Sequence, residues 1–215
     1  MGPKVNTSLS DADPWISADG LELYYKSYRD GGYGSADIYV TRRATQNDPW
    51  GESVNLGPVL NSAYDDDSPC VSADGLLLLF DGTYYSSEVR PGGYGGGDMW
   101  MTRRASLSAP WQAPANLGPK VNSAAHDCLP RLSPDGQTLY FFTERDGTFD
   151  NWRAAIIPIV DFNGDKIVNL KDFSRLAQYW GQNESSVDIG PMAWGDGVVD
   201  IHDVAVLVEY WLSGF

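Results

Sequence analysis

The chain has 215 residues, 29 acidic against 15 basic, and a formal net charge of −14. That charge excludes a nucleic-acid binder, which needs clustered Lys and Arg to meet phosphate, and no apolar run approaches the ~20 residues of a membrane helix. A hydrophobic content of 42 % supports a packed core. Two cysteines, Cys70 and Cys128, are too few for a disulfide framework and lack zinc-site spacing. Met1-Gly2-Pro3-Lys4-Val5-Asn6 has neither the apolar stretch nor the cleavage pattern of a signal peptide.

The first three quarters of the chain repeat. Gly2-Pro3, Gly57-Pro58 and Gly118-Pro119 each precede an Asn (Asn6, Asn61, Asn122), then an Asp (Asp11, Asp66, Asp127) and a Pro (Pro14, Pro69, Pro130). Ser17-Ala18-Asp19-Gly20, Ser72-Ala73-Asp74-Gly75 and Ser133-Pro134-Asp135-Gly136 follow, so the copies are offset by 55 and 61 residues. Asp-Gly marks a hairpin turn, and each is followed by a β-rich run: Leu21 to Tyr25, Leu76 to Phe80 and Thr138 to Phe142. The apolar Leu76 to Phe80 run suits a strand buried on both faces. Further strands are expected at the Pro-x-x-Ser stretch, at Asp37, Asp98 and Asp150, and at segments such as Val54-Asn55-Leu56, about four per copy.

A four-stranded sheet repeated in tandem is a propeller blade. The Ser-x-Asp-Gly turn followed by an aromatic strand resembles the WD40-like propeller repeats of the TolB type over residues 1–158. The expected fold class is mainly β: a partial β-propeller of about three four-stranded blades, followed by a small α-helical domain of paired calcium loops. Because propellers usually close with four to eight blades, three suggest a fragment of a longer protein, which also accounts for the missing signal peptide.

From residue 159 the character changes. Asp161, Asn163, Asp165, Asn169 and Asp172 occupy positions one, three, five, nine and twelve of an EF-hand-type loop, with the Ile167 carbonyl at position seven. Calcium takes six to eight hard oxygen ligands, and alternate residues of a tight loop turn them toward one centre. A helix is expected next, with Leu170, Phe173, Leu176, Ala177 and Trp180 on one face and Gly181 as its stop. The same face returns 31 residues later as Ile201, Val204, Leu207, Val208 and Trp211.

The second loop departs from this spacing. Asp203, Asp200, Val198 (through its carbonyl) and Asp196 fill positions twelve, nine, seven and five, but Trp194 and Met192 fall at three and one. Asp188 is the candidate substitute at position one. These paired loop-helix units resemble the type I dockerin module over residues 159–215. The resemblance implies two Ca2+ sites, a cohesin-like partner and a secreted, extracellular or cell-surface protein. Positions ten and eleven, where the family is recognised, are Leu170-Lys171 and Ile201-His202 rather than Ser-Thr pairs; Leu170 and Ile201 also fit core positions.

No catalytic residue is assigned. His126 reads as a variable loop residue and His202 as a solvated helix start. Asp11, Asp66 and Asp127 recur and read as turn caps, as do Asp19, Asp74 and Asp135; the unrepeated Asp65 and Asp67 read as an acidic loop. Arg42-Arg43 and Arg103-Arg104 recur at strand ends, where solvation is expected. Trp15, Trp50, Trp100, Trp111 and Tyr33 are expected to pack between blades rather than stack on sugars. The two cysteines are out of phase in the repeat, so no disulfide is expected. The expected role is therefore non-catalytic: the C-terminal module docks and the propeller presents a polysaccharide- or protein-binding surface. The competing reading is a fragment of a polysaccharide lyase or glycoside hydrolase.

Overall fold

The computed structural model describes residues 1–82, 90–156, 160–184, 186–190 and 195–211. Pro158, Met192 and Trp194 lie outside these. The chain divides into two compact units, Met1–Ala154 and Ala155–Phe215.

The first unit is built of three antiparallel sheets. Strands β1 (Asp11–Ile16), β2 (Glu22–Ser27), β3 (Asp37–Arg42) and β4 (Val54–Asn55) follow one another in space as in sequence, as do β5 (Asp66–Val71), β6 (Leu77–Gly82), β7 (Asp98–Arg103) and β8 (Ala115–Asn116). The third sheet, β9 (Asp127–Leu132), β10 (Thr138–Thr143) and β11 (Asp150–Ala155), has three strands among the described residues, against the expected four. Strand β1 packs on β5 and β5 on β9, so first strand follows first strand along the arc. Every residue of β6 is buried, as its continuous apolar run requires.

Repeated side chains hold the blades to one another. Asn61 accepts the Ile38 N–H and donates to the Ile38 carbonyl, both at 3.0 Å, and Asn122 does the same to Met99 at 2.9 Å. Arg90 bonds the Asp66 carboxylate at 2.7 Å and the Leu60 carbonyl at 3.0 Å; Arg29 with Asp11 and Val5, and Arg145 with Asp127 and Val121, repeat the arrangement. Between the first two blades Tyr24, Ile38, Val40, Leu60, Leu78, Phe80, Trp100 and Trp111 form one core, with Trp15 against it. The tryptophans at 15, 50, 100 and 111 thus pack, whereas Tyr33 is exposed.

The recurring Asp residues cap turns. Asp19 Oδ1 accepts the Ser17 hydroxyl at 2.6 Å and the Leu21 N–H at 2.9 Å. Arg43 and Arg104 are not solvated strand ends. Each donates from Nε to the glycine carbonyl of its Asp-Gly turn, Gly20 or Gly75, at 2.7 Å, and lies over Trp50 or Trp111. A repeated cation here is a staple, and Arg104 is buried.

The second unit contains α1 (Leu170–Ala177) and α2 (Ile201–Glu209). Both begin with a capping box, Asn169 with Asp172 and Asp200 with Asp203. Leu176, Val187 and Val199 form one small core and Val160, Val168, Ile189 and Leu207 another. The expected apolar helix faces are only partly buried. Leu176 and Leu207 are inside, but Leu170 is 70 % exposed and Ile201 62 %, with Phe173, Ala177, Trp180, Val208 and Trp211 also on the surface. Helices of two turns bury one residue row, and these two fill it with a leucine each and the loop aspartates. Helix α1 ends at Ala177 and is followed by a turn that reaches Gly181.

Candidate metal centre and a charged cavity

The first loop folds around its own carboxylates. Asp161 accepts the Gly164 and Lys166 N–H groups at 2.8 Å each, and Gly164 (φ 75°) and Lys166 (φ 68°) take the left-handed conformations that close the turn. Buried Asp172 accepts the Phe162 N–H at 2.8 Å with one oxygen and the Asn169 N–H at 2.9 Å with the other. Asp161, Asp165 and Asp172 each bring one carboxylate oxygen to within 4.8 Å of the others. Asn163 and Asn169 flank them, accepting the Asp165 and Lys171 N–H groups at 2.9 Å, and the Ile167 carbonyl accepts from the Asn169 amide. Lys171 pairs with Asp165 at 2.8 Å and holds that carboxyl below the usual carboxylate range. Three carboxylate oxygens gathered this closely, with further oxygens beside them in the same loop, fit calcium, which such loops hold by hard oxygens.

The second loop repeats the frame with an insertion. Asp188 accepts the Asp196 N–H at 2.9 Å and the Gly197 N–H at 2.7 Å, while buried Asp203 accepts Ile189 and Gly190 N–H at 2.5 and 2.8 Å. Asp188 therefore stands where Asp161 stands, Gly195 (φ 71°) where Gly164 stands and Gly197 (φ 97°) where Lys166 stands. The inserted residues, 191–194, fall after Gly190, which takes the place of Asn163 and has no side-chain oxygen. Val198 remains at the seventh position. Among the described residues, Asp196, Asp200 and His202 each bring one ligand atom to within 4.8 Å of the others.

A second concentration of charge lies in the blade arc. The first strand of each blade bulges, placing Asp13 (φ 50°), Ser68 (φ 50°) and Leu129 (φ 55°) in the left-handed region just before Pro14, Pro69 and Pro130. Non-glycine residues rarely occupy that region. These three residues, with Lys26, Asp67, Asp81, Cys128, Phe142 and Phe149, line a cavity of about 420 Å³. Lys26 bridges Asp13 and Asp67 at about 3.0 Å, and Asp81 accepts the Leu129 N–H at 2.6 Å. Burial pushes Asp81 up to about 7, with the neighbouring Asp67 charge adding to it, and burial also raises Asp67. Asp67 and Asp65 are thus buried, not parts of an acidic surface loop; Asp65 accepts the Ala36 N–H of the preceding blade at 3.1 Å. Lys26, Asp81 and Phe142 hold the same repeat position in the three blades with three different chemistries, which is the sequence signal that marks this lining. Cys70 and Cys128 are free, buried thiols pushed up by burial to about 11 and about 12. His126 is half-buried beside Gly97 at the blade joint.

No protein-family model matches the chain, and no curated protein matches its sequence. Among solved structures it is similar to TolB from Acinetobacter baumannii (16 % identity, TM-score 0.48, covering 71 % of this chain and 31 % of that one). A putative TolB from Agrobacterium tumefaciens is similar at 20 % identity and TM-score 0.46, over 67 % of this chain and 42 % of that one. Oligogalacturonate lyase from Vibrio parahaemolyticus follows at 16 % identity and TM-score 0.42, over 70 % and 37 %. The chain thus spans about a third to two fifths of the length of these neighbours. Among the described residues no helix is long and apolar enough to cross a membrane.

Proposed function

We propose that the C-terminal unit is a calcium-dependent docking module of the dockerin kind in a secreted protein, and that the blade arc presents a ligand- or protein-binding surface. The observation that carries this reading is the convergence of Asp161, Asp165 and Asp172 in a loop whose frame recurs at Asp188–Asp203. Bound calcium would neutralise carboxylates crowded around one point and hold each loop against its helix. Residues Asp161, Asn163, Asp165, Asn169 and Asp172, with the Ile167 carbonyl, would hold it in the first loop. Helix positions ten, Leu170 and Ile201, are exposed apolar groups at equivalent places in the two units and suit the surface of a cohesin-like partner.

Calcium that binds only the folded unit must stabilise it. In the full chain, calcium should raise the second thermal transition followed by circular dichroism, and Asp161→Ala with Asp165→Ala should remove that rise. A melt unchanged by excess chelator overturns the calcium reading. Calcium-dependent retention on an immobilised type I cohesin tests the partner separately.

The cavity favours a second reading for the arc, a fragment of a carbohydrate-active enzyme, because Asp67, Asp81 and Lys26 are titratable groups gathered in one recess. Release of reducing sugar or unsaturated product from plant polysaccharide, lost in Asp81→Asn, would establish it.

A further inference from the structure

The repeat breaks where the recess of the blade arc is lined. Asp11, Asp66 and Asp127 recur, and so do Pro14, Pro69 and Pro130. Between them lie two positions at which no two blades agree: Ala12, Asp67 and Cys128, then Asp13, Ser68 and Leu129. Lys26, Asp81 and Phe142 differ in the same way on the second strands, as do Ala36, Gly97 and Phe149 just before the third. Every described residue of the cavity lining comes from these positions. Side chains that build the blade are kept, and each blade brings its own chemistry to the recess.

The recess has two unlike sides. The first two blades supply the carboxyls of Asp13, Asp67 and Asp81 with the ammonium of Lys26, and the third supplies Phe142 and Phe149. Lys26 is already engaged, 3.0 Å from Asp13 and 2.9 Å from Asp67. Asp67 is buried, and beyond that shared ion pair its Oδ1 accepts no hydrogen bond among the described residues. Asp81 is 2 % exposed and makes no ion pair among the described residues; the Leu129 N–H donates to it at 2.6 Å. Three carboxyls thus share one ammonium, and burial disfavours charge left without a partner. A second cation restores the balance, whereas an anion would meet carboxylates with the described cation of the lining already occupied. Phenyl faces attract cations as well as apolar groups, and about 420 Å³ is room for a small molecule.

We propose that the recess is the ligand site of the blade arc and selects a small organic molecule carrying a primary ammonium group. The ammonium is set against Asp67 and Asp81, and the apolar body of the ligand against Phe142 and Phe149. Uronates and other acidic sugars are disfavoured. The inference rests on the ligand-binding role proposed for the arc and is independent of calcium in the C-terminal unit.

The test is NMR titration of the full chain, labelled with 15N-leucine and followed at the Leu129 amide, which donates to Asp81. Butylamine and glucosamine carry the ammonium, N-acetylglucosamine lacks the charge and galacturonate reverses it. At neutral pH and about 0.15 M salt, which screens the general negative charge of the chain, both amines should shift that amide saturably. The neutral and acidic sugars should not. Whichever amine binds more tightly tells whether an alkyl chain or a sugar ring carries the ammonium. Asp81→Asn, which keeps an acceptor for the Leu129 N–H, should weaken amine binding about tenfold or more. Asp30→Asn, at an exposed position outside the recess, should leave it unchanged, and circular dichroism reports whether both variants keep the fold. The probe series on wild type needs no variant. Binding of N-acetylglucosamine or galacturonate as tight as that of the amines, or amine binding unchanged in Asp81→Asn, overturns the proposal and leaves a ligand-binding arc standing. A Leu129 amide unmoved by every probe overturns the recess as a ligand site altogether, whatever calcium does to the C-terminal unit.

Discussion

Asp188 accepts the N–H of Gly197 at 2.7 Å, as Asp161 accepts that of Lys166 at 2.8 Å, although four more residues intervene in the second loop. Asp188 is almost wholly buried, so its role in that loop is architectural before it is ligating. Asp188→Ala should therefore destabilise the C-terminal unit in chelator, by about 1–3 kcal/mol for the stranded N–H groups. Asp165→Ala, at an exposed position, should leave the chelated melt close to wild type and abolish only the calcium response. Thermal melts of both variants with and without calcium check this, and equal behaviour in chelator would refute it.

The Arg90–Asp66 pair should be a strong point of the blade arc. Asp66 is fully buried, and burial pushes it up to about 6 against the pull of the Ser62 N–H and of Arg90. Removing one partner of a buried pair leaves an uncompensated charge, so Arg90→Ala should cost about 3–5 kcal/mol. Arg42→Ala, which breaks a pair to Glu22 from a half-exposed position, should cost about 0–1 kcal/mol. Urea denaturation distinguishes the two.

Asp81 predicts a pH dependence with a definite sign. Its folded value of about 7 lies above the ordinary carboxyl value of 3.8, so the folded state binds the extra proton between those limits. Stability contributed by that proton is present at acid pH and is lost as pH rises through about 7. Asp81→Asn, which keeps an acceptor for the Leu129 N–H, should flatten that part of the profile and raise the melting temperature at pH above 7, by roughly 2–4 °C per kcal/mol recovered. A steeper decline in the variant would count against the assignment.

Gly34 should resist substitution. A Cβ there would overlap the Tyr64 carbonyl at the joint of the first two blades. Gly34→Ala should lower stability by an amount typical of overpacking, about 1–3 kcal/mol, whereas Gly2→Ala, with open space around it, should be neutral. Paired denaturation curves decide the point.

Much of the fold was legible because the same residues recur at matching positions. The Ser-x-Asp-Gly turns, the aromatic strands and the Gly-Pro-x-x-Asn joints each make a local hydrogen-bond pattern that sequence spacing exposes. What escaped was anything made by residues from different copies. Lys26, Asp67 and Asp81 meet only once blades are stacked, and nothing near Asp67 in the chain distinguishes a buried carboxylate from a surface one. Arg104 looked like a solvated strand end because its acceptor, the Gly75 carbonyl, lies 29 residues away. In the C-terminal unit the periodicity of Leu170, Phe173 and Trp180 correctly marks a helix face but not which members of it are covered. Short helices bury only the central row, which left Leu170 and Ile201 outside. The reach of Asp188 across the insertion was readable as a possibility from its acidity, and its partners Asp196 and Gly197 only from the folded loop.

The ribbon that joins successive blades belongs to both. Arg90 ties its Leu60 carbonyl to the blade it enters, while Asn61 ties it to the blade it leaves. Loss of one blade therefore removes a seam from its neighbour, and cooperativity should travel as nearest-neighbour coupling does in solenoids. Amide exchange ought then to be slowest in β6, buried throughout and flanked on both sides, and to quicken toward β11, which is largely exposed.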